Sequence, residues 1–166
     1  MSKLPDAEQL VATLAEQIRP LLVGNVALVG IHSGGAWLAQ RLQGMLGSDI
    51  PLGTLDISFY RDDFSRIGLH SQVKPSSIGF EVEGCHIILV DDVLYTGRTI
   101  RGAMNELFDY GRPASITLAV LVDRDGREIP VEAQVVGAKL ELNPGENLEL
   151  ARDAAGKFHF ILHEAA

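Results

Sequence analysis

The chain has 166 residues, of which 46% are hydrophobic and 22% charged, and it carries a formal net charge of −8. This length suits one domain with a real core, so we predict a single domain over residues 1–166. No apolar run has the length of a bilayer span or the position of a signal peptide. We therefore expect a cytoplasmic protein with no membrane contact.

Two classes of site are disfavoured by the remaining composition. Cys85 is the single cysteine, which rules out an internal disulfide and a cysteine-based zinc site. The acidic net charge repels nucleic acid at long range, and no clustered Lys/Arg run offsets it. RNA binding is therefore unsupported by charge and would need a basic patch formed by folding.

The first third of the chain alternates helix and strand patterns. Apolar residues at helical spacing predict an amphipathic helix over residues 6–22, and a β-branched run predicts a strand at Val26–Ile31. A further strand is predicted at Pro51–Tyr60. Between these strands Gly34-Gly35 opens a second helix. Its predicted inner stripe comprises Leu38, Leu42 and Met45.

Residues 61–80 have no clean hydrophobic period and contain glycines, serines and a proline. A loop of about twenty residues inside a compact domain is unusual and is more often functional than idle. We predict a long flexible lid loop here, and an ordinary solvated loop is the alternative.

The second half of the chain continues the alternation. Strands are predicted at Ile87–Val90, Ile116–Val122 and Glu132–Val136. The helix after the first of these presents Ile100, Ala103, Met104, Leu107 and Phe108 on one face. Alternating strands and helices predict an α/β fold with a doubly wound, mainly parallel sheet. Residues 147–151 and 157–163 alternate around a turn and predict a C-terminal β-hairpin.

The segment from His86 to Ile100 carries the strongest chemical pattern. A buried apolar run leads into Asp91 and Asp92, then into a short loop with Thr96, Gly97 and Thr99, and then into a helix. Ligands of open α/β sheets bind outside the carboxyl ends of the strands, and helix N-termini bind phosphate. Adjacent carboxylates can hold vicinal hydroxyls or a hard metal ion. The pattern predicts a phosphosugar site, and a solvated Asp-Asp turn before a capped helix is the alternative.

A second loop, Gly30 to Gly35, repeats the order of strand end, tight turn and helix start. Backbone N–H groups in such a turn form an anion-binding concavity, although many α/β proteins use Gly-Gly only to turn sharply. His32 could add charge there or be an ordinary surface residue.

The segment 86–100 resembles the phosphoribosyl pyrophosphate (PRPP) motif of type I phosphoribosyltransferases. The resemblance implies that Asp91 and Asp92 meet the ribose hydroxyls and bind Mg²⁺, mainly through PRPP and water. It implies that the 5′-phosphate is bound by Tyr95, Thr96, Gly97, Arg98 and Thr99. The Gly30–Gly35 loop resembles the pyrophosphate loop of the same proteins.

Four segments resemble the PyrR family in particular. These proteins are pyrimidine operon regulators that also act as uracil phosphoribosyltransferases. The matching segments are residues 58–63, 90–99, 110–114 and 118–124. The family implies conversion of uracil and PRPP to UMP and pyrophosphate with Mg²⁺, in a homo-oligomer. The implied pyrophosphate contacts are Ser33, Gly34, Tyr60 and Arg61. The implied base contacts are Val122, Asp123, Arg124 and Val136.

Three features depart from the family pattern and keep alternatives open. Many relatives carry arginine at the position of Gly34, and an aromatic residue within the stretch matching Gln134–Lys139. The segment from about 139 to 166 is also atypical. Arg124 could instead pair with Asp123 or Asp125 at the surface. The rival functions are a weakly catalytic or non-catalytic RNA-binding regulator that senses UMP or PRPP, and a phosphoribosyltransferase for a purine base.

Overall fold

The computed structural model describes residues 4–57 and 76–164, which form a five-stranded sheet, three α-helices and a separate two-stranded sheet. The strands of the large sheet are β1 (Val26–Ile31), β2 (Leu52–Leu55), β3 (His86–Leu94), β4 (Ser115–Arg124) and β5 (Val135–Leu140). The helices are α1 (Ala7–Ile18), α2 (Gly34–Leu46) and α3 (Arg98–Tyr110), and a 3₁₀ turn at Arg19–Leu21 extends α1. The small sheet pairs β6 (Asn147–Arg152) with β7 (Phe158–His163).

The large sheet is parallel throughout, with strand order β2-β1-β3-β4-β5. Its core has two faces. Buried residues of α1 and α2 pack on one face, and Ile100, Ala103 and Leu107 of α3 pack on the other. This arrangement confirms the predicted doubly wound α/β fold.

Strand β3 shows why the sequence of a central strand is a continuous run of apolar residues. Ile88 and Val90 point into the core with α1 and α2, whereas Ile87 and Leu89 point into the core with α3. Because both faces of the sheet are covered, both sets must be apolar.

The strand order reverses between β1 and β3. From β1 the chain moves outward to β2, then returns to the other side of β1 to form β3. In a doubly wound sheet such a switch point opens a crevice at the carboxyl ends of the two strands. Both loops singled out in the sequence, Gly30–Gly35 and the segment after Asp92, lie at this crevice.

The C-terminal hairpin is confirmed and packs against α1 and α2. Leu150 and Phe158 are buried in the core that these helices share. Arg41 on α2 pairs with Glu8 on α1 at 2.7 Å and lies over the Phe158 ring, 4.4 Å from its centroid. The other Glu8 oxygen accepts a hydrogen bond from the Phe158 amide at 2.7 Å. Charge and apolar contacts together dock the hairpin on the domain.

Several predicted element boundaries are wrong. Strand β3 continues through Asp91 and Asp92 to Leu94, because its pairing with β4 extends beyond the apolar run. Strand β5 spans Val135–Leu140 rather than 132–136. The preceding Gln134 instead bonds to Leu118 on β4. The side-chain Oε1 of Gln134 accepts from the Leu118 amide at 2.8 Å, and the Gln134 backbone amide donates to the Leu118 carbonyl at 3.0 Å. Strand β2 ends at Leu55, and positions 58–60 lie outside the described residues.

Two predicted core residues are also exposed. Met45 on α2 is 42% exposed and Phe108 on α3 is 56% exposed, whereas the adjacent Leu46 and Leu107 face the core. The inward-facing residues recur at ordinary helical spacing, as Leu38, Leu42 and Leu46 in α2 and as Ile100, Ala103 and Leu107 in α3. Met45 and Phe108 therefore fall beside the buried stripe.

The predicted lid falls largely outside the described residues, which resume at Ser76. Within the described part, Ser77 makes an isolated antiparallel bridge to Thr54. No helix in residues 4–57 and 76–164 is long and apolar enough to cross a membrane.

Candidate functional site

A cavity of about 470 Å³ opens at the crevice between β1 and β3. Seven of the residues predicted from sequence line it together: Ser33, Gly34, Asp91, Asp92, Thr96, Arg98 and Thr99. The sequence pattern did not anticipate Trp37, Val93, Glu149 and Leu150, which also line it, together with His32. Members of the predicted sugar, 5′-phosphate and pyrophosphate sets thus line one cavity, whereas Tyr95 and Gly97 do not line it.

The two carboxylates are held by local backbone hydrogen bonds. Asp91 is buried, 6% exposed, and its Oδ1 accepts from the amide of Asp92 at 2.8 Å. Asp92 in turn accepts from the amide of Val93 at 2.8 Å. A charge-assisted bond to a backbone N–H restrains a carboxylate in one orientation. The alternative of a freely solvated Asp-Asp turn is therefore wrong for Asp91.

Gly34 lies directly beneath Asp92. A Cβ built on Gly34 would come within 2.4 Å of Asp92 Oδ2 and 2.8 Å of its Cγ. The side chain of Asp92 thus occupies the space that a residue larger than glycine would need. This contact gives a physical account of the glycine at this position.

The turn between β1 and α2 packs backbone against backbone. A Cβ on Gly35 would lie 2.4 Å from the carbonyl oxygen of Val90, and one on Gly30 would lie 2.4 Å from that of Gly35. The His32–Ser33 peptide bond in this turn is cis. Helix α2 begins at Gly34, and its N-cap residue Ser33 makes no side-chain capping bond. The first-turn amides of α2 therefore have no side-chain acceptor from the cap and face the cavity edge.

The second helix start at the cavity belongs to α3. Its N-cap is Gly97, which has φ +93° and no side chain with which to cap the helix. Thr96, 9% exposed, accepts from the Arg98 amide through its hydroxyl at 3.2 Å. Two helix N-termini, those of α2 and α3, thus converge on one cavity, an arrangement that favours a ligand with anionic groups at both ends.

The residues predicted to contact the base lie at the end of β4 and on β5. Asp123 and Arg124 line a second cavity of about 480 Å³ with the loop 125–127 and residues 139–141. Val122 is fully buried in the core, and Val136 is half-buried on β5. Neither valine lines either of these two cavities. Tyr60 and Arg61 lie outside the described residues, so their contacts stay predictions.

Arg124 is not the surface ion pair that the sequence left open. It is 6% exposed, and its guanidinium stacks on the Tyr95 ring, 3.9 Å from the centroid. One Nη donates to the carbonyl of Glu146 at 2.9 Å, and Nε has no hydrogen-bond partner among the described residues. The partner of Asp123 is instead Arg127, at 2.7 Å.

The C-terminal hairpin supplies one wall of the main cavity. Glu149 and Leu150 of β6 line it, and Arg152 lies over the Trp37 ring at 4.1 Å from the centroid. Glu149 also contacts His163 across the hairpin at 2.5 Å. The sequence predicts the hairpin but not its position, because an alternation of polar and apolar residues does not indicate which surface the hairpin covers.

The site's capacity for a metal ion rests on Asp91 and Asp92. Among the described residues no cluster of three or more His, Cys, Asp or Glu forms a self-contained metal cage. Mg²⁺ usually keeps several waters and is held by one or two carboxylates together with substrate phosphates. Two carboxylates beside an anion cavity fit Mg²⁺ bound in that shared manner.

The comparisons with known proteins agree with this geometry. The family model for the phosphoribosyl transferase domain matches residues 2–152. The bifunctional protein PyrR of Pseudomonas fluorescens is 53% identical over 152 residues, covering 89% of this chain and 90% of its own. That of Nitrosococcus oceani is 58% identical over 139 residues, covering 82% of this chain and 76% of its own.

Solved structures add agreement on the fold. A hypoxanthine phosphoribosyltransferase from Staphylococcus aureus superposes with a TM-score of 0.64 at 22% identity, over 86% of this chain and 76% of its own. A purine phosphoribosyltransferase from Pyrococcus horikoshii gives 0.60 at 24% identity, over 83% and 87%. With the domain match and the PyrR relatives, these findings establish that the chain belongs to the phosphoribosyltransferases and, among them, to the PyrR family.

Proposed function

We propose that the chain is a uracil phosphoribosyltransferase that makes UMP and pyrophosphate from uracil and PRPP and also regulates pyrimidine genes. One observation carries the enzymatic part: a single cavity brings together two carboxylates and the N-termini of α2 and α3. PRPP has a ribose with vicinal hydroxyls between a 5′-phosphate and a pyrophosphate, so it matches this arrangement in both chemistry and order.

Each part of PRPP has a proposed set of contacts. Asp91 and Asp92 bind the ribose hydroxyls. Because both carboxylates are already restrained, they can accept hydrogen bonds from these hydroxyls without reorganising. The 5′-phosphate sits at the start of α3, where it meets backbone amides and the hydroxyls of Thr96 and Thr99. The pyrophosphate sits at the start of α2, against Ser33 and Gly34, with Tyr60 and Arg61 proposed as further contacts.

The reaction needs no protein nucleophile. Displacement at the ribose carbon passes through an oxocarbenium-like sugar, so the protein contributes by fixing both phosphate ends and aligning the base. When bound, Mg²⁺ would neutralise charge on the departing pyrophosphate, and Asp91 and Asp92 would hold it mainly through water and PRPP oxygens. The wall formed by Glu149 and Leu150 limits water access on the hairpin side.

The base is proposed to lie at the end of β4, near Asp123, Arg124 and Val136, with Val122 supporting it from the core. A pyrimidine ring offers carbonyl acceptors at its edge. Arg124 supports this position because its Nε is a buried donor with no partner among the described residues. Hypoxanthine and guanine also carry a carbonyl, so base specificity must be measured.

The test is UMP formation from labelled uracil, PRPP and Mg²⁺, with hypoxanthine and guanine as competitors. We expect turnover with uracil that neither purine inhibits strongly. Turnover with a purine in place of uracil would identify a purine enzyme. Stabilisation by UMP or PRPP without turnover would leave only the regulatory role.

The regulatory part is favoured by the relatives, which are named bifunctional PyrR proteins and match this chain at 51–58% identity. We propose that UMP or PRPP binding in the main cavity controls binding to the leader RNA of pyrimidine genes. Affinity for leader RNA that exceeds affinity for unrelated RNA, and that falls steeply with added salt, would support this role. Equal weak binding of both RNAs would contradict it.

We also infer that the chain forms a homo-oligomer. Val23 and Phe108 are 74% and 56% exposed, and burying them against a second copy would remove apolar surface from water. Light scattering coupled to size exclusion would give the number of subunits, and a mass of one chain would contradict the inference.

A further inference from the structure

The loop between β4 and β5 lies directly behind the phosphate loop, which we define as residues 95–98. We propose that Arg127, in this loop, is a positioning residue: its guanidinium fixes the phosphate loop to the end of β4 and orients the amides that receive the 5′-phosphate. The inference rests on the proposed function, since it concerns the same PRPP site, but Arg127 itself lines none of the main cavity.

Each guanidinium nitrogen of Arg127 is used by a different segment. Nε donates to the carbonyl of Val131 at 2.8 Å, and one Nη donates to the carbonyl of Tyr95 at 2.6 Å. The other Nη donates to Asp123 Oδ1 at 2.7 Å. The Asp123 side chain is 13% exposed and that of Arg127 27% exposed, so solvent competes weakly for the bond between them. One side chain therefore joins the end of β4, its following loop and the phosphate loop.

The next carbonyl of the phosphate loop is held by the same segment. The carbonyl of Thr96 accepts from the amides of Glu128 at 3.0 Å and Ile129 at 3.3 Å. Arg98 adds a salt bridge to Glu128 at 2.7 Å. Two successive carbonyls, those of Tyr95 and Thr96, thus point back toward the loop at 125–131.

Peptide geometry converts these contacts into an orientation of donors. In a trans peptide the C=O and N–H of one unit point in opposite directions. Holding the carbonyls of Tyr95 and Thr96 toward Arg127 and Glu128 therefore turns the N–H groups of Thr96 and Gly97 away from that loop. The main cavity is lined by Thr96, Arg98 and Thr99 and by no residue of the loop at 125–131.

The packing behind the phosphate loop leaves little room for another arrangement. A Cβ on Gly97 would lie 2.9 Å from Ile129 Cγ1 and 3.2 Å from Val131 Cβ. A Cβ on Gly126, which has φ +115°, would lie 2.4 Å from the Tyr95 ring. The two glycines allow the loops to approach closely enough for Arg127 to reach the carbonyl of Tyr95.

This assignment separates the two ends of PRPP. The contacts of Arg127 reach the phosphate loop but not the Gly30–Gly35 loop at the start of α2. Loss of the guanidinium should therefore weaken binding at the 5′-phosphate end and spare the pyrophosphate end. A general loss of structure would weaken both.

The experiment measures binding of ribose 5-phosphate and of Mg²⁺-pyrophosphate to R127K, R127A and the wild-type protein by calorimetry. We expect R127K to weaken ribose 5-phosphate binding about tenfold. A lysine keeps the charge, but its N–H donors all lie on one nitrogen and cannot span the acceptors that the guanidinium reaches from three separate nitrogens. Pyrophosphate affinity should change less than twofold. Millimolar guanidinium added to R127A should restore part of the ribose 5-phosphate affinity. R112A, which removes an exposed arginine whose side chain has no described contact, is the matched control.

Equal loss of both ligands, or no loss of ribose 5-phosphate affinity in either variant, would overturn the inference. Steady-state kinetics give a second check, since R127K should raise the KM for PRPP more than it lowers kcat. If the wild-type protein binds ribose 5-phosphate but makes no UMP, the proposed transferase activity is contradicted. The role of Arg127 is still supported in that case if R127K weakens ribose 5-phosphate binding. A wild-type protein that binds neither probe would overturn both.

Discussion

The sugar-phosphate half of the site and its base and hairpin half are built in different ways. The first half comes mainly from the continuous segment His86–Ile100, in which a strand, two carboxylates and a helix start follow one another. The second half is assembled from the end of β4, the loop at 125–131 and the hairpin. A local segment determines its own geometry through strand pairing and helix capping, whereas an assembled wall depends on how distant segments dock. The two halves should therefore respond to different substitutions.

The largest effect is expected from a substitution that undocks the hairpin. Leu150 is 3% exposed and packs in the core with α1 and α2. Leu150→Ala should lower the free energy of unfolding by about 2–4 kcal/mol, since it removes a buried side chain and leaves a cavity. Urea unfolding measures this. Ribose 5-phosphate affinity of the folded variant should stay close to that of the wild type.

Ile161→Ala on β7 is the matched control. Because Ile161 is 37% exposed, this substitution should lower the free energy of unfolding by about 0.5 kcal/mol or less. Equal losses in the two variants would mean that Leu150 does not anchor the hairpin to the domain.

The opposite result is expected for a carboxylate of the sugar-phosphate half. Asp92→Asn should lower kcat/KM roughly 10- to 100-fold, the loss expected for one charged hydrogen bond to the ribose. The free energy of unfolding should change little, because Asn keeps the acceptor that binds the Val93 amide. Asp109→Asn, at an exposed site on α3, should leave kcat/KM unchanged. An Asp92→Asn enzyme with wild-type kcat/KM would contradict the assignment of this carboxylate.

The same contrast explains what the sequence could predict. The order of residues in this segment predicts a phosphosugar site with Asp91, Asp92, Thr96 and Thr99, and the family resemblance adds Arg98; all five line one cavity. The Gly30–Gly35 loop was predicted for the same reason, since a strand end, two glycines and a helix start impose a local geometry. Parallel strand order then brings both loops to one crevice.

The rest depended on tertiary contacts that a sequence pattern does not encode. Trp37 and Glu149 are 112 positions apart and become neighbours of one cavity only when the hairpin docks on α2. Arg127 lies among charged residues, and its sequence context is that of a solvated loop until its four acceptors are known. Met45 and Phe108 are exposed because the helix surface beside the buried stripe is left uncovered by other segments.

A smaller effect is expected when the charge of the hairpin wall is removed. Glu149 faces the cavity with its side chain 54% exposed and contacts His163. Its negative charge opposes a polyanionic ligand, so Glu149→Gln should strengthen PRPP binding about 2- to 5-fold at low ionic strength. Calorimetric titration at low and high salt checks this, with Glu164→Gln beyond β7 as the control. Weaker PRPP binding by Glu149→Gln would mean that this carboxylate accepts a hydrogen bond from the ligand.

The smallest effect is expected at the hairpin turn, where a single carboxylate organises the chain. Asp153 Oδ1 accepts from the amides of Ala155 and Lys157, each at 2.9 Å. The hydrogen bond from the Lys157 amide is the main cause that lowers the pKa of Asp153, helped by the Ala155 amide and by the charges of His159 and Lys157, while desolvation opposes it.

Because the folded pKa lies below the unfolded value of about 3.9, the carboxylate stabilises the fold above that value. This contribution disappears as the pH falls through the folded pKa. Asp153→Asn keeps an acceptor oxygen but removes the charge, so it should melt slightly below the wild type at pH 7, and the difference should shrink as the pH falls below about 4. Thermal melts of both proteins across this range give the difference. A difference that persists unchanged at pH 2 would show that the charge of Asp153 is not what stabilises the turn. The turn would then be held by hydrogen bonds and docking contacts that do not depend on this charge.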